Sequence, residues 1–223
     1  MGLHPLSMLV VAVLVFLLIR AEFAGYRRMI YRIKPLCSLS VVLLAGLSYF
    51  TPGGIATYTA GIMGGLLLSF GGDMALMFPA KRAFSIGLAL FLLAHVVYAI
   101  VLTVPIGYAP TDLWGAAVAV VISAVVYAYL FPGLGSMKGP VLAYVVVIGF
   151  MVHRATATFG TDYFTPAQAW IVTIGAGLFY LSDVILAVNK FRRPFKHNRI
   201  SLAFYYAGQM CLAVSAGMFP AGV

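Results

Sequence analysis

Fourteen basic residues stand against five acidic ones in this 223-residue chain, and two of those five fall inside long apolar runs. Asp73 lies in LLLSFGGDMALMFPAKR, residues 66–82, and Asp183 lies in FYLSDVILAVNKFRR, residues 179–193. Their nearest downstream basic residues, Lys81 and Lys190, come about two helical turns later. An acid at the centre of a membrane helix costs about 2.5–3.5 kcal/mol, so an intramembrane carboxylate is a functional-site candidate by default. A pair of them is equipment for general acid–base chemistry or for proton-coupled transport. The competing explanation makes each acid a packing group, satisfied by a neighbouring Tyr, Ser or Gln. Two acids at one depth, each behind a small residue (GGD and SD), weigh against it.

Other polar residues on the apolar runs are candidates for lining such a site. His95 falls about 18 Å into its segment, near mid-membrane. Lys34 precedes Pro35, a natural first residue of a helix, where a lysine can hold phosphate or reach for the interface. Tyr205, Tyr206 and Gln209 form a polar stripe; Tyr180 and Ser182 precede Asp183, and Lys190 follows it. His153 and Arg154 are expected to snorkel at the outer face, and Cys37 and Cys211 to be small buried hydrophobes. No G-x-S-x-G elbow, H-E-x-x-H, C-x-x-C or P-loop pattern occurs, which argues against nucleophile, metal and nucleotide chemistry. Neither cofactor nor metal is expected.

The elements that carry these residues follow from composition. Hydrophobic residues make up 63% of the chain and charged residues 9%, with a mean hydropathy of +1.06. A soluble domain is about half apolar and a quarter charged. The chain therefore reads as an all-α polytopic membrane protein, because backbone groups in lipid must be paired within each segment. Eight spans are expected, near 5–20, 35–51, 55–78, 83–103, 112–131, 139–157, 166–189 and 200–219, in a single transmembrane domain covering 1–223. The first, without a basic region before it, reads as a retained anchor.

Basic residues then assign sides. All but Arg154 fall in the loops after the first, third, fifth and seventh spans, which the positive-inside rule makes cytoplasmic. Both termini are expected to be exoplasmic, with the basic loops on anionic lipid. Nucleic acid is not expected as a partner, and the short loops suggest a bacterial inner membrane. Both acids then lie roughly 10–12 Å inside the basic edge. Leu76 and Leu186 follow the acids at equal spacing, and each basic turn leads to a returning helix with a polar residue, His95 or Gln209. This suggests a four-plus-four parallel repeat with the acids in related positions.

With SFGGDMALMF, FYLSDVILAVNKF and YYAGQMCLAV in view, over roughly residues 30–215, the chain resembles the YhhN/transmembrane protein 86 family of lysoplasmalogenases. The YRIKPL stretch opening the second span and FLLAHVVY in the fourth are similar to family patterns too. The resemblance implies hydrolysis of the vinyl ether bond of a lysoplasmalogen, giving a fatty aldehyde and a glycerophospho-headgroup product. It places the family's motif aspartates on Asp73 and Asp183. One would protonate the β-carbon and the other stabilise the resulting cation and activate water, in the way glycosidases divide two acids. Lys34 would hold the phosphate of the lysophospholipid. His95, Tyr180, Ser182, Lys190, Tyr206 and Gln209 complete the expected binding set. Two rivals use the same residues. A proton-coupled carrier of a lysolipid fits an eight-span bundle, though only Gly71 and Gly72 interrupt a span beside an acid. An intramembrane aspartyl protease would need glycine where Phe70 stands and tyrosine where Ser182 stands.

Overall fold

The computed structural model describes residues 3–50, 54–110 and 112–219. Eight α-helices occupy them: α1 (Leu3–Ala24), α2 (Arg27–Tyr49), α3 (Ala56–Leu76), α4 (Lys81–Thr103), α5 (Asp112–Leu130), α6 (Lys138–Ala157), α7 (Pro166–Phe191) and α8 (Ser201–Ser215). No strand occurs among the described residues. Seven of the helices are long and apolar enough to cross a membrane, and the chain is a multi-pass membrane protein. The eighth, α8, has 15 residues, fewer than the roughly 20 that cross a bilayer as one helix.

Helix ends fall close to the expected bounds, with one correction. Pro35 does not open a span: it lies inside α2, which begins at Arg27. The segment RRMIYRIK is a competent helix former that starts two turns earlier, and a single proline removes only one backbone hydrogen bond, here to the Tyr31 carbonyl. Lys34 is therefore in a helix interior and not at a helix N-terminus. At α7 the expected signal holds. Pro166 takes the first helical position and the Thr165 hydroxyl accepts from the Gln168 amide at 3.2 Å, a side-chain cap.

Small residues set the tightest crossings. A Cβ at Gly208 on α8 would come within 2.7 Å of the Gly175 carbonyl on α7, and one at Gly65 on α3 within 2.2 Å of the Tyr98 ring on α4. Without a hydrophobic driving force between helices in lipid, close approach of this kind is what makes a pair adhere. The pairs α3–α4 and α7–α8 are the most extensively packed in the molecule. Neighbours follow one order in both halves: each helix of α1–α4 packs on the next, as does each of α5–α8, and α4 against α6 is matched by α8 against α2. The core between the halves includes Leu66, Tyr98, Phe179 and Tyr206, all nearly inaccessible. By contrast α5 turns Trp114, Val120, Val121 and Val125 outward, the surface expected of a lipid-facing helix.

Arg154 corrects the snorkelling expectation. It is fully buried and donates to Asp112 Oδ2 at 2.9 Å and to the Gly107 carbonyl, with its guanidinium 4.7 Å from the Tyr108 ring centroid. His153 is buried beside it. Asp112, first residue of α5, supplies the counter-charge on the spot, so the arginine need not reach for water.

Candidate active site

Lys34 and Ser38, one turn apart on α2, point at Asp73 on α3. The Lys34 ammonium sits 3.2 Å from Oδ1, while Ser38 donates to Oδ2 at 2.6 Å. Tyr205 on α8 donates to the same Oδ2 at 2.6 Å, and its oxygen accepts from Gln209 Nε2 at 2.9 Å. Tyr206, its neighbour, contacts the Ser38 hydroxyl at 2.9 Å. Because the Ser38 hydrogen goes to the carboxylate, Tyr206 is the donor in that contact. Asp73 thus ends a chain of donors drawn from two helices, α2 and α8, and only 3% of its side chain is exposed.

Asp183, on α7, has different company. Tyr144 of α6 donates to its Oδ2 at 2.6 Å, and His95 Nε2 of α4 stands 3.6 Å from that oxygen. His95 is held from behind: its Nδ1 is 2.5 Å from the Phe91 carbonyl, one turn earlier. A carbonyl can only accept, so Nδ1 carries the hydrogen. Phe179 and Tyr144 pack edge-on against the imidazole, with centroids at 4.6 and 5.3 Å.

Both carboxylates line one cavity of about 450 Å³. Its walls are apolar between α4, α5, α6 and α7 (Leu88, Val126, Leu130, Val145), and polar groups including Glu22, Arg27, Lys190 and Arg199 line it towards the helix ends. Apolar lining with a few convergent polar groups is the usual character of a small-molecule site. A chain of CH₂ groups and a charged head could occupy it together. Among the described residues no cluster of His, Cys, Asp and Glu could hold a metal.

Of the polar residues singled out from sequence, Lys34, Tyr180, Ser182, Lys190 and Tyr205 line this cavity with the two acids. Lys190 is exposed and lies 4.8 Å from the Phe84 ring centroid. His95, Tyr206 and Gln209 stand behind the lining and reach the acids directly or through a hydroxyl. Lys34 is neither snorkelling nor at a free helix end, because it is buried against Asp73. Sequence reasoning missed Ser38 and Tyr144. Ser38 had a signal, one helical turn after Lys34 on the same face. Tyr144 had none, since tyrosines are common in membrane segments.

Residues 29–216 match the YhhN family. The chain is 35% identical to lysoplasmalogenase TMEM86A of Bos taurus over 188 residues, 82% of this chain and 75% of that one. Human lysoplasmalogenase TMEM86A gives the same identity and coverage, and human lysoplasmalogenase TMEM86B is 32% identical over 185 residues, covering 80% and 72%. No solved structure matches. With most of the chain matched by the family and by relatives at this identity, the protein belongs to the YhhN family.

Proposed function

We propose that this protein is a lysoplasmalogenase, an ether hydrolase that splits the vinyl ether bond of a lysoplasmalogen within the membrane to a fatty aldehyde and a glycerophospho-headgroup product. The observation that carries the reading is the placement of Asp73 and Asp183 on one cavity with both apolar and basic walls. The names of the relatives supply the substrate class. An alkenyl chain suits the apolar wall, and a phosphate suits the end where Arg27, Lys190 and Arg199 gather. With the alkenyl chain between helices, the vinyl ether falls beside the carboxylates.

Hydrolysis needs a proton at the β-carbon, which turns the enol ether into an oxocarbenium ion, and then water at the carbon bearing the ether oxygen. One carboxyl group supplies the proton and the other, as carboxylate, faces the cation and takes a proton from water. The hemiacetal so formed collapses to aldehyde and alcohol. Excluding bulk water strengthens each of these charge interactions.

The basic loops face the cytoplasm on anionic lipid and the N-terminus lies on the other side, in keeping with the charge distribution. The common order of helix neighbours in α1–α4 and α5–α8 supports a four-plus-four parallel repeat. The deciding experiment is aldehyde release from a lysoplasmalogen by the purified, detergent-solubilised protein, alongside Asp73→Asn and Asp183→Asn. Release by the wild type and its loss in both folded variants is expected. Binding of the lipid with the vinyl ether left intact would overturn the hydrolase and leave a carrier.

A further inference from the structure

We propose that the two aspartates are not interchangeable: Asp183 is the acid, its proton held by His95 as a positioning residue, and Asp73 is the carboxylate that activates water. This rests on the vinyl ether reading above. The starting observation is a register. The shift that carries Asp73 onto Asp183 also carries Lys34 onto Tyr144 and His95 onto Tyr205. It carries the first residue of α3, Ala56, onto the first of α7, Pro166, and Gly65 onto Gly175. In space each aspartate meets the same two positions, one from its own half and one from the other. Asp73 meets Lys34 and Tyr205, and Asp183 meets Tyr144 and His95. The geometry is repeated while the chemistry at both partner positions has changed.

That change decides where a proton can rest. Everything that reaches Asp73 is a donor. Lys34 has no acceptor, Tyr205 gives its hydrogen to the carboxylate while its oxygen accepts from Gln209, and Ser38 donates to the carboxylate at 2.6 Å. A proton on Asp73 would turn one of these donors away: Lys34 can only donate, and Ser38 would accept only by redirecting its hydrogen to the Lys34 carbonyl at 3.2 Å, so Asp73 rests ionised and holds a proton only in passing. Asp183 has one donor, Tyr144, and one group that can accept. Because His95 Nδ1 is tied to the Phe91 carbonyl, the neutral ring presents the lone pair of Nε2 to Asp183. At 3.6 Å this contact is longer than a hydrogen bond, a gap of the kind that closes when substrate fills a site. Sharing one proton, the pair is neutral, which suits a site away from water better than separated charges.

Access points the same way. Asp183 exposes 17% of its side chain against 3% for Asp73, and it lines the cavity, whereas His95 is fully buried and does not. Any proton His95 holds reaches the substrate through Asp183. The steps then balance. The Asp183 proton passes to the β-carbon as the double bond supplies the C–H electrons, leaving Asp183 ionised beside the oxocarbenium ion. Water adds to the ether-bearing carbon and gives a proton to Asp73. On collapse the hemiacetal hydroxyl proton goes to Asp183, the C–O bond breaks, and Asp73 protonates the departing oxygen. Both groups end as they began.

The test reads the proton directly. Infrared difference spectroscopy in H₂O and D₂O at neutral pH looks for the C=O stretch of a protonated carboxylic acid in wild type, Asp73→Asn, Asp183→Asn and His95→Leu. Tyr144 from α6 reaches the pair directly, while Asp73 from α3, Lys34 from α2 and Tyr205 from α8 line the same cavity, and of these groups only Asp73 is altered in the set. A band present in wild type and Asp73→Asn, absent in Asp183→Asn and displaced in His95→Leu is expected. No band, or a band that disappears with Asp73, overturns the assignment. In turnover, His95→Leu should lower kcat about 100-fold with KM within about twofold, and His95→Gln, which keeps an acceptor, should recover part of it. Equal losses in kcat for Leu and Gln would overturn the positioning role. If the wild type releases no aldehyde the vinyl ether reading falls, and the infrared band still decides which aspartate carries the proton.

Discussion

Removing the Lys34 ammonium should expose how much the Asp73 site depends on it. Lys34→Met keeps the length of the side chain and deletes the charge. Lys34 and Asp73 expose only 8% and 3% of their side chains, so water cannot compensate the carboxylate left behind. Breaking a buried pair by removing one partner costs about 3–5 kcal/mol. Ser38 and Tyr205 still donate to Asp73, which favours the lower end, about 3 kcal/mol. For a chain of this size each kcal/mol moves the midpoint by about 2–4 °C, so unfolding in detergent should fall by roughly 6–12 °C. Adding Asp73→Asn removes the stranded charge, and the double variant should be more stable than Lys34→Met alone. The assay is a thermal melt of wild type, both single variants and the double. Additivity within about 0.5 kcal/mol, the behaviour of independent sites, would refute the claim that the two charges are one unit. So would a Lys34→Met protein that melts with the wild type.

Other changes should separate the two halves of the site. Tyr144→Phe deletes the one hydroxyl on Asp183; it should cost about 1 kcal/mol in stability and lower kcat, measured as aldehyde release, more than it raises KM. Gly208→Ala places a Cβ 2.7 Å from the Gly175 carbonyl and 2.9 Å from the Phe179 amide. Both are backbone atoms, so α7 and α8 must part, and a melt should show a loss of about 1–3 kcal/mol. Arg154→Met leaves Asp112 without its buried partner. It should loosen α5, read as faster cleavage by protease at the α4–α5 connection, while sparing the chemistry of the aspartates. Arg199→Gln removes a cation from the cavity lining and should raise KM for the lysolipid with kcat little changed.

The acids were legible because charge is rare in an apolar chain: a carboxylate in a span needs a reason. The helices were legible because only intra-segment pairing satisfies a backbone in lipid. What could not be read is what each acid touches. Lys34 looked like a phosphate holder because Pro35 reads as a helix start. Once α2 runs on from Arg27, the same lysine turns inward and becomes the partner of Asp73. Arg154 looked peripheral because its counter-charge, Asp112, is distant in sequence. Tyr144 and Ser38 belong to residue types that membrane helices use freely, so nothing local distinguishes the two that meet a carboxylate. A shared order of motifs suggests a repeat, and what the motifs alone do not show is that the contacts of both acids cross between α1–α4 and α5–α8.

Those contacts converge on Phe91, and a glycine makes room for it. The Phe91 carbonyl holds His95 Nδ1. Its ring packs edge-on against Phe179 at 6.2 Å and Tyr205 at 5.7 Å between centroids, and so touches the tyrosine that serves Asp73. A Cβ at Gly72, the residue before Asp73, would meet the Phe91 ring at 2.7 Å. The ring cannot simply swing aside, because the two aromatic neighbours stand in its way. Gly72→Ala should therefore tilt Phe91 and disturb both acid sites at once. Overpacking of this kind costs about 1–3 kcal/mol, so the protein should still fold and bind lipid. The misplacement reaches His95 through the carbonyl and Tyr205 through the ring, and small misplacements near reacting atoms can cost about 100-fold in rate. The expected signature is a large fall in kcat with a melt only a few degrees lower. Gly71→Ala next door, whose Cβ meets only the flexible end of Leu90 at 3.3 Å, should leave activity near wild type. If the two variants lost activity equally, Phe91 would not be the link between the two halves of the site.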